Sequence, residues 1–163
     1  MSLPERGVRM NIHVICDVAG KLFSMDGTLV SSVDNGAVEI ILPNVPEQCE
    51  GAFRFRDELV PVINMKRVFG IPGDFDPVLS QIVFMQCDDG IIGFRVDRVI
   101  EITSIAESDV QSIPVIVNTG RTAYLKGAVR NKDRIVLVAD HNRFLSQGEL
   151  QAIRNGIKIA LEN

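Results

Sequence analysis

The 163-residue sequence carries 21 acidic and 17 basic residues, which gives a formal net charge of −4. This balance argues against a duplex nucleic-acid binder, which needs a basic surface to neutralise phosphates, and against adhesion to an anionic membrane surface. Hydrophobic residues make up 46% of the chain, enough for a buried core, and no apolar run approaches the roughly 20 residues of a membrane helix. The polar N-terminus, MSLPERGVRM, lacks the apolar stretch of a signal peptide, so we expect a cytoplasmic location.

Short strands dominate the first half of the sequence. They are predicted, in chain order, at 13–18, 21–25, 37–42, 52–56 and 59–65. Asp26-Gly27 is a turn signal, and Pro43 and Pro46 interrupt a loop because neither can donate to a strand ladder. Residues 65–69 predict a single helical turn before Gly70, and 71–76 predict a loop that separates two halves.

Residues 52–65 predict a hairpin. Residues 52–56 alternate, with Phe53 and Phe55 on one face and Arg54 and Arg56 on the other. A tight turn fits at 57–58, and Pro61 in the second strand indicates an edge strand or a bulge. Exposed arginines are enriched at interface hot spots, so the two arginines indicate either a partner surface or a solvated strand face.

The second half repeats the pattern. Strands are predicted at 80–87, 91–96, 97–103, 112–117, 123–130 and 134–140, with polar turns at 88–90 and 131–133. Many short strands at regular spacing favour a barrel or a sandwich. Asp97 follows an apolar strand directly, so its carboxylate is expected either to fix a turn through backbone N–H groups or to face a partner.

A helix is predicted from Ser146 to the end of the chain. Ser146 and Glu149 form an S-x-x-E capping box, which satisfies orphan N–H groups reciprocally. An apolar stripe follows at helical spacing: Leu150, Ile153, Ile157 and Leu161. Gly156 costs about 1 kcal/mol relative to Ala. The helix is therefore expected to depend on packing, either on its own domain or on a partner.

Motifs for catalysis or metal binding are missing from the sequence. No G-x-S-x-G, P-loop, G-x-G-x-x-G or C-x-x-C occurs, and Cys16, Cys49 and Cys87 are interpreted as small buried hydrophobes. His13 is expected to be a surface or cap residue, and His141 follows Asp140 on a strand where neighbours point to opposite faces. We expect no catalytic, cofactor-binding or metal-binding residues.

Four segments together resemble the CheW family of chemotaxis coupling proteins. They are FSMDGTLV at 23–30, PEQCEGAFRFRDELVPVINMK at 46–66, GFRVDRV at 93–99 and YLKG at 124–127. The resemblance runs from about Val14 to Leu145. It implies a mainly β fold of two intertwined five-stranded, SH3-like β-barrels plus a C-terminal helix. The implied boundaries are a single domain at 10–145, with subdomain 1 at about 20–74 and subdomain 2 at about 10–19 and 75–145, and a helix at 146–163.

The same resemblance implies a non-enzymatic adaptor. CheW proteins couple the cytoplasmic tips of chemoreceptors, the methyl-accepting chemotaxis proteins, to the regulatory domain of a CheA-type histidine kinase. Nucleic acid is not an expected partner, and the membrane is reached only through receptors. The implied partner-binding residues are Val30, Ser32, Arg54, Arg56, Asp57 and Val99. The receptor tip is expected along a groove near Val30, Ser32, Arg56 and Val99, and the kinase domain at an exposed barrel end.

The sequence departs from the family pattern where partners bind. The family's N-L-R-G is Arg54-Phe55-Arg56-Asp57, and its V-x-E is Val30-Ser31-Ser32, without the acid. The departures leave open a divergent CheW-like interaction module in another signalling pathway. A further alternative of a different class is a small-molecule sensor, or an enzyme with its site between the barrels.

Overall fold

A computed structural model describes residues 8–113 and 123–162, and in these ranges the chain forms eleven strands and two α-helices. The strands are β1 Met10–Val18, β2 Lys21–Asp26, β3 Val30–Asp34, β4 Cys49–Phe55, β5 Glu58–Asn64, β6 Gln81–Cys87, β7 Gly90–Val96, β8 Arg98–Ala106, β9 Gln111–Ser112, β10 Leu125–Asn131 and β11 Arg134–Ala139. The helices are α1 Met65–Phe69 and α2 Gln147–Glu162. The predicted helical turn before Gly70 is confirmed as α1.

The strands form two sheets. Sheet A has six strands in the order β8-β1-β2-β11-β10-β9, and sheet B has five in the order β3-β6-β7-β5-β4. Most neighbours are antiparallel, but β11 pairs with β2, and β5 with β7, in parallel. The predicted fold class, mainly β with a C-terminal helix, is confirmed. Sheet A exceeds the expected five strands because of β9, which has two residues.

The predicted subdomain boundaries do not follow the sheets. Strands β6 and β7, within 75–145, lie in sheet B because β6 pairs with β3 and β7 with β5. Strand β2, assigned with 20–74, lies in sheet A between β1 and β11. Sheet B is thus built from 30–96 alone, whereas sheet A combines strands from both ends of the described chain.

Buried side chains form three cores. One is enclosed by sheet A and contains Ile15, Ile105 and Val136; another is enclosed by sheet B and contains Phe55, Val62 and Phe84. The largest lies between the sheets and beneath α2, with members from Val14 on β1 to Ile153 on α2. Each sheet therefore curves around a small core of its own, and the third core joins them.

The predicted strand at 37–42 is wrong. This segment makes one isolated bridge, in which Ile40 pairs with Ala52 of β4 and the Ala52 N–H donates to the Ile40 carbonyl at 2.8 Å. The following Pro43 cannot extend such a ladder. Gly51 is required at this crossing, because it has φ +140° and a Cβ there would collide with the Ile40 carbonyl oxygen. The predicted strand at 112–117 lies largely outside the described residues.

Helix α2 begins as predicted and packs on its own domain. The Ser146 N–H donates to Glu149 Oε1 at 2.8 Å, and the Glu149 N–H donates to Ser146 Oγ at 3.1 Å, which confirms the capping box. Gly156 is buried against Leu42 and Val45. Leu161, predicted in the packed stripe, is instead 66% exposed.

Candidate partner-binding surfaces

The β4–β5 turn contains Arg56 and Asp57, one residue earlier than predicted. Their φ angles are +50° and +65°, as the two central residues of a type I′ hairpin turn require. Arg56 therefore belongs to the turn and not to the strand face, and Glu58 already begins β5. Asp at the second position tolerates the left-handed conformation better than most non-glycine residues.

The Arg56 side chain covers Phe55, which belongs to the core of sheet B. Its guanidinium lies 4.8 Å from the centroid of the Phe55 ring, and that ring stacks on Phe84 at 4.3 Å. A cation–π contact at such an exposed site contributes about 0.5–1 kcal/mol. Arg54 lies exposed on β4, opposite Leu59. We call Arg54, Arg56 and Asp57 the hairpin surface.

The other three predicted residues line the seam between the sheets. Val30, Ser32 and Val99 are each half-buried, and Val30 and Val99 pack against the core that joins the sheets. Val30 pairs with Met85 of β6, while the Val99 N–H donates to Gln81 Oε1, four residues away on the same strand, at 2.6 Å. That spacing corresponds to about 13 Å along β6. We call Val30, Ser32 and Val99 the seam surface.

The two surfaces lie on different strands. Val30 and Ser32 are on β3 and Val99 is on β8, whereas the hairpin surface is on β4 and the β4–β5 turn. Sheet B curves around its own core, and the segment that follows β3 reaches β4, where Ile40 bridges Ala52 and a Cβ at Gly36 would lie 3.4 Å from the Phe53 ring. The single groove expected from the sequence therefore stays a prediction, and the six residues are described as two surfaces according to the strands that carry them.

A buried polar network holds sheet B beneath these surfaces. Arg95, 2% exposed on β7, donates through Nε to both carboxylate oxygens of Glu50 and through its terminal nitrogens to Ser80 Oγ and the Gly36 carbonyl. Glu50 also accepts from Asn64 Nδ2 at 2.9 Å. The network ties β4, β5 and β7 to the segment after β3. Sequence reasoning missed it, because its ion pair spans 45 residues without a local signal.

The histidines and Asp97 have structural roles. The expectation of a surface His13 is wrong: it is 7% exposed on β1, and its Nδ1 lies 2.9 Å from Ser24 Oγ. Burial is the main cause that lowers the pKa of both His13 and His141. Asp97 has a structural role that differs from the local turn expected, because its carboxylate accepts from the Ala19 N–H at 2.6 Å and so holds the β1–β2 turn, 78 residues away in the sequence.

The thiols match their interpretation as small hydrophobes. Cys16 and Cys49 are buried and Cys87 is half-buried. Burial raises the pKa of Cys16 and Cys49, and raises that of Cys87 to about 11. Such thiols are poor nucleophiles and poor ligands at neutral pH. Within 8–113 and 123–162, no three His, Cys, Asp or Glu side chains are grouped to hold a metal ion.

A pocket of about 440 Å³ lies between α2 and sheet B. Its walls include Leu59 and Ile92 from the sheet and Leu150 and Ile157 from the helix. Arg154 of α2 forms an ion pair with Asp89 in the β6–β7 turn. The volume falls in the range of small-molecule sites, and the walls combine aliphatic side chains with charged and polar ones such as Asp88 and Lys158.

The sequence profile of the CheW-like domain family matches residues 14–149. The chain belongs to the CheW-like domain family. This match covers both sheets, both candidate surfaces and the start of α2, and it confirms the predicted family.

Known CheW proteins are similar to this chain over most of its length. A chemotaxis protein CheW of Treponema pallidum is 29% identical over 118 residues, which cover 70% of this chain and 69% of that protein. The chemotaxis protein CheW of Bacillus subtilis is 22% identical over 139 residues, covering 85% of this chain and 89% of the relative. The predicted class of function, a chemotaxis coupling adaptor, is supported by these relatives and by the family match.

A solved structure confirms the CheW-like fold. The crystal structure of the scaffolding protein TtCheW from Thermoanaerobacter tengcongensis matches with a TM-score of 0.74 at 22% identity, covering 91% of this chain and 96% of that one. Neither helix in the described part of this CheW-like chain combines the length and apolar character needed to cross a bilayer.

Proposed function

We propose that this chain is a non-enzymatic cytoplasmic adaptor that couples the cytoplasmic tip of a chemoreceptor to the regulatory domain of a CheA-type histidine kinase. The family match and the relatives named chemotaxis protein CheW support this role. The observation that carries it is that the predicted partner residues form two groups on different strands of one scaffold, the seam surface and the hairpin surface. An adaptor needs two surfaces that its two partners can occupy together.

The seam surface suits the receptor tip. Val30 and Val99 offer aliphatic side chains at the edge of a rigid core, and Ser32 sits between them on the β3 side. Side chains that already pack against a core lose little conformational entropy when a partner binds. Because Ser32 replaces the family's acid, the receptor contact here is expected to rest on apolar packing and not on an ion pair.

The hairpin surface suits the kinase regulatory domain. It lies at one end of sheet B, and the resemblance places the kinase domain at an exposed barrel end. Arg56 is already fixed on the Phe55 ring, so its guanidinium loses little freedom on binding. Arginines held in this way are frequent hot spots, whose truncation costs about 2 kcal/mol or more.

The test is a pair of titrations with a receptor-tip fragment and with the isolated kinase regulatory domain. Arg56→Glu is expected to weaken kinase-domain binding at least about tenfold, or 1.4 kcal/mol, and to leave receptor binding unchanged. Ser32→Arg is expected to weaken receptor binding and to leave kinase-domain binding unchanged. Arg130→Glu, an exposed change on sheet A, is the matched control and should alter neither titration.

Two results would contradict the proposal. If the wild type binds neither partner, the divergent interaction module in another pathway replaces it. If Arg56→Glu weakens only receptor binding, the assignment of partners to the two surfaces is reversed. The membrane enters only through the receptor, so binding to protein-free anionic vesicles is not expected.

A small-molecule sensor is the second candidate, favoured by the pocket under α2. A ligand that binds only the folded state raises the melting temperature. A thermal-shift screen decides between the candidates: a hit that is lost on filling the pocket with Ile92→Phe supports the sensor, and a screen without hits favours the adaptor.

A further inference from the structure

The turn between α1 and β6 presents two large aliphatic side chains to solvent. Val78 is 72% exposed and Leu79 is 76% exposed. Single exposed aliphatics are common on protein surfaces, but two adjacent side chains with this exposure form an apolar projection. The described part of the chain leaves most of their surface uncovered.

This projection is rigid. Asp76 Oδ1 accepts from the Val78 N–H at 2.8 Å and from the Leu79 N–H at 3.1 Å, and the Ser80 N–H donates to the Asp76 carbonyl at 2.9 Å. Pro77 further restricts the backbone, because its ring fixes φ. These bonds involve the backbone and Asp76, so they hold the turn whatever side chains stand at 78 and 79. A partner would therefore meet an ordered surface and lose little entropy by binding it.

The turn is continuous with the seam surface. Asn35, which follows β3, donates from Nδ2 to the Val78 carbonyl at 3.2 Å. Two residues beyond Leu79, Gln81 accepts from the Val99 N–H. Val33 on β3 is 37% exposed and lies opposite Val83. The projection thus extends the seam surface at the end where Val99 lies.

We propose that Val78 and Leu79 anchor one end of the receptor-tip helix whose other end contacts Val30, an inference that rests on the proposed function. Val30 pairs with Met85, and Leu79 lies six residues before Met85, so the two anchors are at most about 20 Å apart, a length that about four turns of a helix cover. The carboxylates of Asp34 and Asp76 flank the projection and are exposed. The occupant is therefore an aliphatic helix face with a basic side chain beside it.

The experiment is a titration of the full chain with a receptor-tip fragment. The double variant V78S/L79S is expected to bind at least tenfold more weakly than the wild type, with an unchanged melting temperature and unchanged affinity for the kinase regulatory domain. Ile41→Ser is the matched control: Ile41 is 86% exposed but lies away from the seam, before Leu42, which packs under α2. It should bind like the wild type.

The outcomes separate this inference from the proposed function. If the wild type does not bind the fragment, the proposed function fails and the anchor with it. If the wild type binds and V78S/L79S binds equally well, only the anchor is refuted. If sedimentation shows that the wild type dimerises and V78S/L79S is monomeric, a second copy covers the projection and the receptor assignment is overturned.

Discussion

The Nε atom of Arg95 lies 3.0 Å from one carboxylate oxygen of Glu50 and 2.9 Å from the other, inside the five-stranded sheet. The Arg95 side chain is 3% exposed and that of Glu50 is 14% exposed. Water cannot replace a lost partner at such a site, so the two charges depend on each other.

Removing Glu50 should therefore destabilise the fold strongly. Glu50→Ala leaves a buried guanidinium without its counter-ion, and we expect the free energy of unfolding to fall by about 3 kcal/mol or more. Urea denaturation measures the change. Glu107→Ala is the control, because its pair with Arg9 has side chains 60% and 76% exposed and should matter little. If the two changes lowered the free energy of unfolding equally, the buried pair would contribute no more to stability than an exposed one.

Removing the N-terminal cap of α2 should have a smaller effect on stability. Ser146→Ala removes the acceptor of the Glu149 N–H and should lower the free energy of unfolding by about 1 kcal/mol. Gln147→Ala, an exposed change in the same turn, is the control and should cost nothing. Thermal unfolding of the two variants compares them, and equal melting temperatures would argue against the cap.

Gly156 should resist replacement although alanine favours helices. In Gly156→Ala the new Cβ would lie 3.0 Å from Val45 Cγ1 and 3.2 Å from the Pro43 carbonyl oxygen. We expect this crowding to cancel the helix-propensity gain of about 1 kcal/mol and to lower stability. Gly148→Ala, in the same helix, has only Ser146 Oγ within 4 Å, at 3.9 Å, and should raise stability. Stabilisation by both changes would contradict the close packing of α2.

The stability of the protein should fall in mild acid. The pKa of buried His13 is lowered from its usual 6.5, mainly by desolvation and further by Lys126, with Asp26 acting in the opposite sense. Below pH about 6.5 the unfolded chain takes up a proton that the folded state resists, so the free energy of unfolding decreases as the pH falls. Above that pH both states are neutral and the contribution is constant.

Replacing the histidine tests this dependence. His13→Gln should flatten the decline in the free energy of unfolding between pH 7 and pH 5, as measured by urea titrations. His141→Gln serves as the comparison, because the pKa of His141 is also lowered and should account for the remaining decline. A pH profile that is unchanged in His13→Gln would contradict the role of His13.

Features that depend on residues close together in the sequence were predictable from local patterns. The capping box of α2 depends on two residues three positions apart, and the helical turn before Gly70 depends on a short segment. The hairpin at 52–65 was recognisable, but its turn lies one residue earlier than predicted. Arg56 gave no sign that it would adopt a positive φ, because that conformation depends on the register of β4 and β5.

Properties that depend on distant contacts were not predictable in this way. The burial of His13 depends on Ser24 and on the neighbouring strand, and the pair of Glu50 with Arg95 depends on the parallel alignment of β5 and β7. The distribution of the predicted partner residues over β3, β4 and β8 depends on how the strands pair in both sheets. None of these relationships is periodic in sequence, so the fold class was predictable from the family resemblance but the layout of the surfaces was not.

The division of strands between the sheets has a consequence for synthesis on the ribosome. All strands of sheet B lie within 30–96, so this sheet can close while the rest of the chain is still being made. Sheet A must wait, because β2 pairs with β11, which ends at Ala139. Until then the early hairpin of β1 and β2 exposes a strand edge that can pair with other chains. During translation, the edge of β2 therefore stays unpaired until β11 has been made.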